Sequence, residues 1–247
     1  MSAMQFGKTD INIQNKIHTM KMTKTKLAKG FTLVELLVVI AIIAALAALS
    51  TPVVLKQQKK ASLAEAINNA KQISYLMRDW DDSFGTYPEV AATNDGSTIT
   101  VTTSNDIFRK FKEFSKIDGE EIFYAKTSWN KKPDGDTTNL ADFSEQGAAG
   151  FMYVSNMNSS KPDRAPILTA PNKAAGNTSV LFDAAAYGGS MVYLCIDGSV
   201  QTLPIKLNEQ ATVKRGAANP NILDITNTGI FGDVTSPPVL IGASAKP

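Results

Sequence analysis

The 247 residues, 43% of them apolar, suffice for one globular domain and an anchor rather than two full domains. The formal charge of +2 conceals an asymmetry: six lysines and one acid fall in the first thirty residues, leaving 19 bases against 22 acids from Phe31 onward, so no clustered positive footprint for nucleic acid is expected. A single cysteine, Cys195, excludes an internal disulfide; a single histidine, His18, lies in the basic front segment, whose removal would exclude Ser-His-Asp, Cys-His and His-ligated zinc chemistry.

At the front, Lys24, Lys26 and Lys29 lead to Gly30, and an apolar stretch follows from Phe31 to Leu55. Its 25 residues would form a helix of about 37 Å, enough to span a bilayer. From Leu36 to Leu49 there is no polar side chain, yet Glu35 sits five residues into the stretch. A carboxylate at the centre of a lipid-exposed helix costs on the order of 2.5–3.5 kcal/mol, and less toward the interface. Glu35 is near the end, so insertion is feasible, but an anchor alone would be served better by leucine. A secretory signal peptide could be argued from the small residues Ala44 to Ser50, and Glu35 within the apolar region counts against it. Lys56, Lys59 and Lys60 beyond the stretch blunt the charge contrast that normally sets orientation.

The string KGFTLVELLVVIAIIAAL, Lys29 to Leu46, resembles the cleavage and methylation site of type IV pilins and of the pseudopilins of type II secretion. The resemblance implies cleavage after Gly30 by a prepilin peptidase on the cytoplasmic side and N-methylation of the new amino terminus at Phe31. It also implies that Glu35, at the fifth mature position, meets the terminal amine of a neighbouring subunit. Opposite charges buried together are tolerable where either alone is not, so such a pair would fix the register of packed helices. Met20 and Met22 are further candidate starts, and from Met22 the leader would read MTKTKLAKG.

Pro52, near the end of the apolar stretch, is expected to kink or loosen the helix, and members of the family often carry a proline near this position. Helical periodicity resumes beyond it. Leu63, Ile67, Ala70 and Met77 form one stripe with Ile73, Leu76 and Trp80 beside it, while Lys60, Glu65 and Lys71 stay wet. One helix from about Thr32 to about Trp80 is predicted, ending in DDSFGTYPE, where Gly85 and Pro88 break it and Asp79, Asp81 and Asp82 form a solvated end. The G-T-Y-P-E string also resembles the segment that follows the long helix in pseudopilins.

Thr98 to Thr103 reads as a strand, and Asn105 or Asp106 as the cap of a helix whose apolar face is Ile107, Phe108, Phe111 and Phe114. Ile122 to Lys126 and Phe151 to Ser155 read as strands, Ile167 to Leu168 as a short extended piece, and Ala170 to Asn177 as a loop. The clearest hairpin is SMVYLCIDGSVQTLPI, with Asp197-Gly198 as a two-residue turn between alternating apolar positions. It resembles a C-terminal signature of planctomycete and verrucomicrobial pilin-like proteins, with Tyr187 standing where that signature has histidine. The Gly-, Ala-, Asn- and Pro-rich tail from Lys214 to Pro247 holds one possible strand, Ile222 to Ile225, and Cys195 is expected to be an inert, buried thiol.

Asp134 and Asp136, with Thr138 or Asn139, could offer oxygen ligands to calcium, which some pseudopilins bind, although D-G-D-T-T-N lacks the full EF-hand pattern and such strings are common in turns. No cofactor is otherwise expected, nor any catalytic site. The fold class is α+β: a long, partly transmembrane N-terminal helix packed on a C-terminal antiparallel β-sheet head. The resemblance implies four regions: a cleaved basic leader, 1–30; a transmembrane and filament-core helix, 31–55; its amphipathic continuation, 56–81; and a periplasmic or extracellular head, 82–247. It implies a structural subunit of a type II secretion pseudopilus or a type IV pilus, single-pass in the inner membrane with its N-terminus cytoplasmic. Its partners would be the prepilin peptidase, the inner-membrane assembly platform, copies of itself and other pilins. The alternatives are a minor pilin that binds a ligand or cargo, and a membrane-anchored hydrolase using carboxylates, for which no constellation is visible.

Overall fold

The computed structural model describes residues 30–89, 101, 103–117, 119–133, 149–173, 181–205, 210–212, 220–232 and 238–242. The chain divides into two compact units, Met1–Ala48 and Leu49–Pro247.

The first element, α1, spans Leu33–Phe84. It continues through Pro52, so the proline does not end the helix as its missing N–H and ring clash would in an ordinary interior position. It also ends later than Trp80, at Phe84, where Gly85 takes φ +71° and its N–H reaches the Asp81 carbonyl at 2.7 Å. The helix has two characters. From 31 to 58 every described side chain is exposed, although nearly all of those up to Leu55 are apolar. A helix apolar on all sides is normally enclosed, by protein or by lipid. From Ser62 onward one stripe is buried, carrying Ala66, Ala70, Ile73, Met77 and Trp80, with Leu63, Ile67 and Leu76 packed at its flanks. All the predicted residues lie here, but the buried centre runs through Ile73 and Trp80, which were expected beside it, while Leu63 and Ile67 fall at the flank. Three polar residues inside it, Ser62, Asn69 and Ser74, were not anticipated.

The second helix, α2, spans Ser104–Ser115 and buries Ile107, Phe108 and Phe111, with Phe114 partly covered. Its cap is Thr103, one residue outside the helix, and neither Asn105 nor Asp106. Asp106 instead closes the box from within, its carboxylate accepting the Thr103 N–H at 2.9 Å and hydroxyl at 3.1 Å. The strand expected over Thr98 to Thr103 falls largely outside the described residues, and Thr103 is the cap. Trp80 joins the two helices, its ring 5.7 Å from Phe111, 5.1 Å from Phe114 and 4.6 Å from Phe84 between centroids.

The strand expected at Ile122 to Lys126 is instead a single 3₁₀ turn, Glu121–Phe123, followed by extended chain. Side chains, not a neighbouring strand, satisfy much of its backbone. Asn69 of α1 donates its amide to the carbonyls of Glu121 and Tyr124 at 2.8 and 2.9 Å, and Asn130 donates to Ala125 at 2.6 Å.

Five antiparallel strands make the sheet: β1 (Met152–Ser155), β2 (Pro166–Ala170), β3 (Ser190–Cys195), β4 (Val200–Pro204) and β5 (Val239–Ile241), in the order β4-β3-β2-β1-β5. Every residue of β1 and β2 is buried, and successive side chains point to opposite faces, so these central strands are covered on both sides. Edge strand β4 is exposed at Gln201 and Thr202 and ends on Pro204, both usual protections against unwanted pairing. The hairpin loop is three residues, Ile196 to Gly198, rather than two. Leu194 pairs with Val200, Cys195 donates to Ser199 at 2.9 Å, and only Gly198 is left-handed, at φ +80°. A first turn followed by one left-handed residue is the three-residue solution to the same strand geometry.

The tail supplies what its composition hid. Ile222 to Ile225 is not a strand but a turn, whereas Val239–Ile241 pairs with β1 through Tyr153, Val154 and Ser155. A short helix, α3 (Thr228–Phe231), is capped by Asn227, whose side chain accepts the Gly229 N–H at 2.9 Å, and buries Ile230 and Phe231. The Ser104 N–H donates to the Gly242 carbonyl at 3.0 Å, tying the end of β5 to the start of α2.

Candidate functional site

The residues singled out at the front lie on open backbone followed by the first turn of α1. A side chain at Gly30 would meet nothing within 4 Å, and Phe31 is 80% exposed. Thr32 and Glu35 are joined reciprocally. The Glu35 N–H donates to Thr32 Oγ1 at 3.2 Å, while Glu35 Oε2 accepts the Thr32 N–H at 2.8 Å and its hydroxyl at 2.7 Å. This is a capping box, in which each residue's side chain accepts the other's backbone N–H at a helix start. The Thr-x-x-Glu spacing in Thr32-Leu33-Val34-Glu35 carries that signal, and the reading of Glu35 as an inter-subunit charge passed over it. The two roles are compatible, because Oε2 accepts both bonds from Thr32 and Oε1 accepts none among the described residues.

Pro52 lies within α1 in the second unit. Asp134 and Asp136, with Thr138 and Asn139, lie outside the described residues. Among the described residues, no three His, Cys, Asp or Glu side chains gather where a metal ion could be held.

The two other segments singled out, Gly85 to Glu89 and Tyr187 to Val200, meet in the second unit. Arg78 Nη2 donates to the Asp197 carbonyl at 2.6 Å and the Tyr87 hydroxyl reaches the Ile196 carbonyl at 3.5 Å, so α1 and the chain leaving it clasp the hairpin turn. Tyr153 of β1 donates to the Pro88 carbonyl at 2.8 Å, completing the clasp from the sheet. Spacing alone could not have paired these segments. Cys195 beside the turn is 1% exposed and burial pushes its thiol up to about 11, so it is an inert core residue at neutral pH.

Tyr187 is 3% exposed, and its hydroxyl has no partner among the described residues. Burial first, then electrostatic coupling to Tyr124 and the carboxylates of Glu65 and Asp183, push its ionisation well up, so it stays neutral. A buried hydroxyl without a partner costs more than it returns. Tyr187→Phe is therefore expected to stabilise the second unit by about 1 kcal/mol, read as a higher midpoint of thermal unfolding; a lowered midpoint would mean that the hydroxyl is bonded.

One long N-terminal helix followed by a five-stranded antiparallel sheet defines an α+β chain of pilin-like architecture. Residues 25–51 match the family model described as the prokaryotic N-terminal methylation motif, and this match encloses Gly30, Phe31, Thr32 and Glu35. Motif and apolar helix together are consistent with a type IV pilin-like protein. No curated protein and no solved structure matches the chain.

Proposed function

We propose that the chain is a structural subunit of a type IV pilus or a type II secretion pseudopilus, held in the inner membrane by Phe31 to Leu55 until it enters the filament. Its N-terminus would lie in the cytoplasm and its head on the far side. The single observation that carries this reading is the methylation motif, residues 25–51, running into the first part of a helix whose apolar residues are exposed on every side. Such a helix needs lipid first and other helices later, and a filament core of packed helices supplies the second environment. A prepilin peptidase cuts after Gly30, the amine of Phe31 is methylated, and the assembly platform passes the subunit to its neighbours.

Glu35 then has two tasks. Oε2 holds the helix start, and Oε1 is available to the terminal amine of an adjacent protomer, which would neutralise the carboxylate in the filament. Glutamine at the third helical position keeps a capping box and removes the charge; alanine removes both. Glu35→Gln is expected to be processed and inserted with a normal helix start but to assemble poorly, its sheared filament yield on the order of tenfold below the parent, which corresponds to about 1.4 kcal/mol per contact. Glu35→Ala adds a fraying of the first turn worth about 1 kcal/mol. Normal filament yield from Glu35→Gln would remove the charge-pairing role and leave only the cap.

A further inference from the structure

The apolar stretch ends at Leu55, and the same residue lines an open cavity of about 220 Å³ in the second unit. Gln58 and Lys59 of α1 form its wall with Leu55, and Lys126, Thr127 and Asp183 come from the head. Lys59 is the first half-buried residue of α1 after an exposed run, because its stem lies along Gly188, Cβ and Cδ being 3.8 and 3.9 Å from where a side chain there would begin. Lys126 is half-buried as well, and neither lysine has an ion-pair partner among the described residues. The acid in the lining, Asp183, is buried and has one carboxylate oxygen engaged by the backbone, Oδ1 accepting the Ala185 N–H at 2.9 Å. Glu65, the other acid on this side of α1, stands 3.8 Å from Lys132. Two lysines without an ion-pair partner among the described residues thus line a cavity whose α1 wall begins with the last residue of a membrane-length apolar run.

We propose that this cavity receives the phosphate headgroup of an anionic phospholipid of the outer leaflet, Lys59 and Lys126 meeting the phosphate and Leu55 the start of the acyl chains. The proposal rests on the reading of Phe31 to Leu55 as membrane-spanning. It gives the head a fixed seat on the bilayer before assembly, released when the subunit is withdrawn from lipid.

The test uses the full chain in nanodiscs of phosphatidylcholine alone or with increasing phosphatidylglycerol, read by hydrogen–deuterium exchange. Amides 126–128 and 185–186 are expected to exchange more slowly as phosphatidylglycerol is added. In Lys59→Gln and in Lys126→Gln the fraction of phosphatidylglycerol giving half the effect should rise about fivefold each, as expected for one basic group at an anionic surface, and Lys126→Arg should restore it. Unchanged exchange of 152–155 certifies the fold of each variant. Equal exchange in both lipids, with 33–55 still protected, overturns the headgroup site while leaving the membrane reading intact. Equal protection by inorganic phosphate in phosphatidylcholine nanodiscs also overturns it, assigning the cavity to a soluble anion. Rapid exchange of 33–55 in both discs overturns the membrane reading and the proposal with it.

Discussion

A chain carrying Gly30→Leu is expected to accumulate with residues 1–30 still attached, its conversion slowed on the order of a hundredfold by the misplaced peptide bond. The reason lies wholly outside this chain's own fold. A side chain at position 30 would touch nothing within 4 Å, so the substitution leaves α1 and the head undisturbed. A peptidase, by contrast, must bring the backbone on both sides of the cut against its catalytic groups, and glycine permits the closest approach. Intact-mass measurement on the membrane-extracted protein separates the two forms by the mass of the leader, and the thermal midpoint should be the same for both. An identical, shortened mass for parent and variant would show that cleavage does not depend on Gly30.

Gly150→Ala should have the opposite profile, with normal processing and a badly weakened head. A Cβ there would lie on the Ala125 carbonyl and 2.7 Å from Asn130 Nδ2. Neither neighbour is free to move. Asn130 Nδ2 is itself bonded to the Ala125 carbonyl at 2.6 Å, and the Gly150 N–H is bonded to the Phe123 carbonyl at 3.2 Å. Overpacking costs about 3 kcal/mol at the upper end of its ordinary range, and a broken buried hydrogen bond adds about 1 kcal/mol. A loss of about 4 kcal/mol is a large part of a typical stability of about 5–15 kcal/mol, and corresponds to a midpoint lower by about 8–16 °C for a domain of this size. Melting of the full chain in detergent or nanodiscs would measure it, and a midpoint within about 2 °C of the parent would contradict the contact geometry.

Legibility in the sequence followed the length and regularity of each element. The residues of the buried stripe of α1, the aromatic face of α2 and the hairpin strands around Asp197-Gly198 were readable because each repeats a period, although the hairpin loop has three residues and not the two expected. β5 was not, since three residues carry no period and those around it are glycine, proline and serine. The 3₁₀ turn at Glu121–Phe123 was misread as part of a strand because Ile122, Phe123 and Tyr124 have strand-forming side chains, while the decision was made by Asn69, distant in sequence. At the front, Gly30, Phe31 and Glu35 all lie within the matched segment, residues 25–51. What the motif passed over was local: the Thr32 hydroxyl and amide that already hold Glu35 within one chain.

The clasp on the hairpin turn has a mechanical consequence. Tension applied along α1 reaches the rest of the second unit through side chains grafted onto its main chain at separate points, Asn69 on Glu121 and Tyr124, Arg78 on Asp197, and Tyr87 on Ile196. Attachments strained side by side share a pull, whereas a row opened from one end yields link by link. A pull along α1 would therefore be divided among these attachments rather than fall on any one of them.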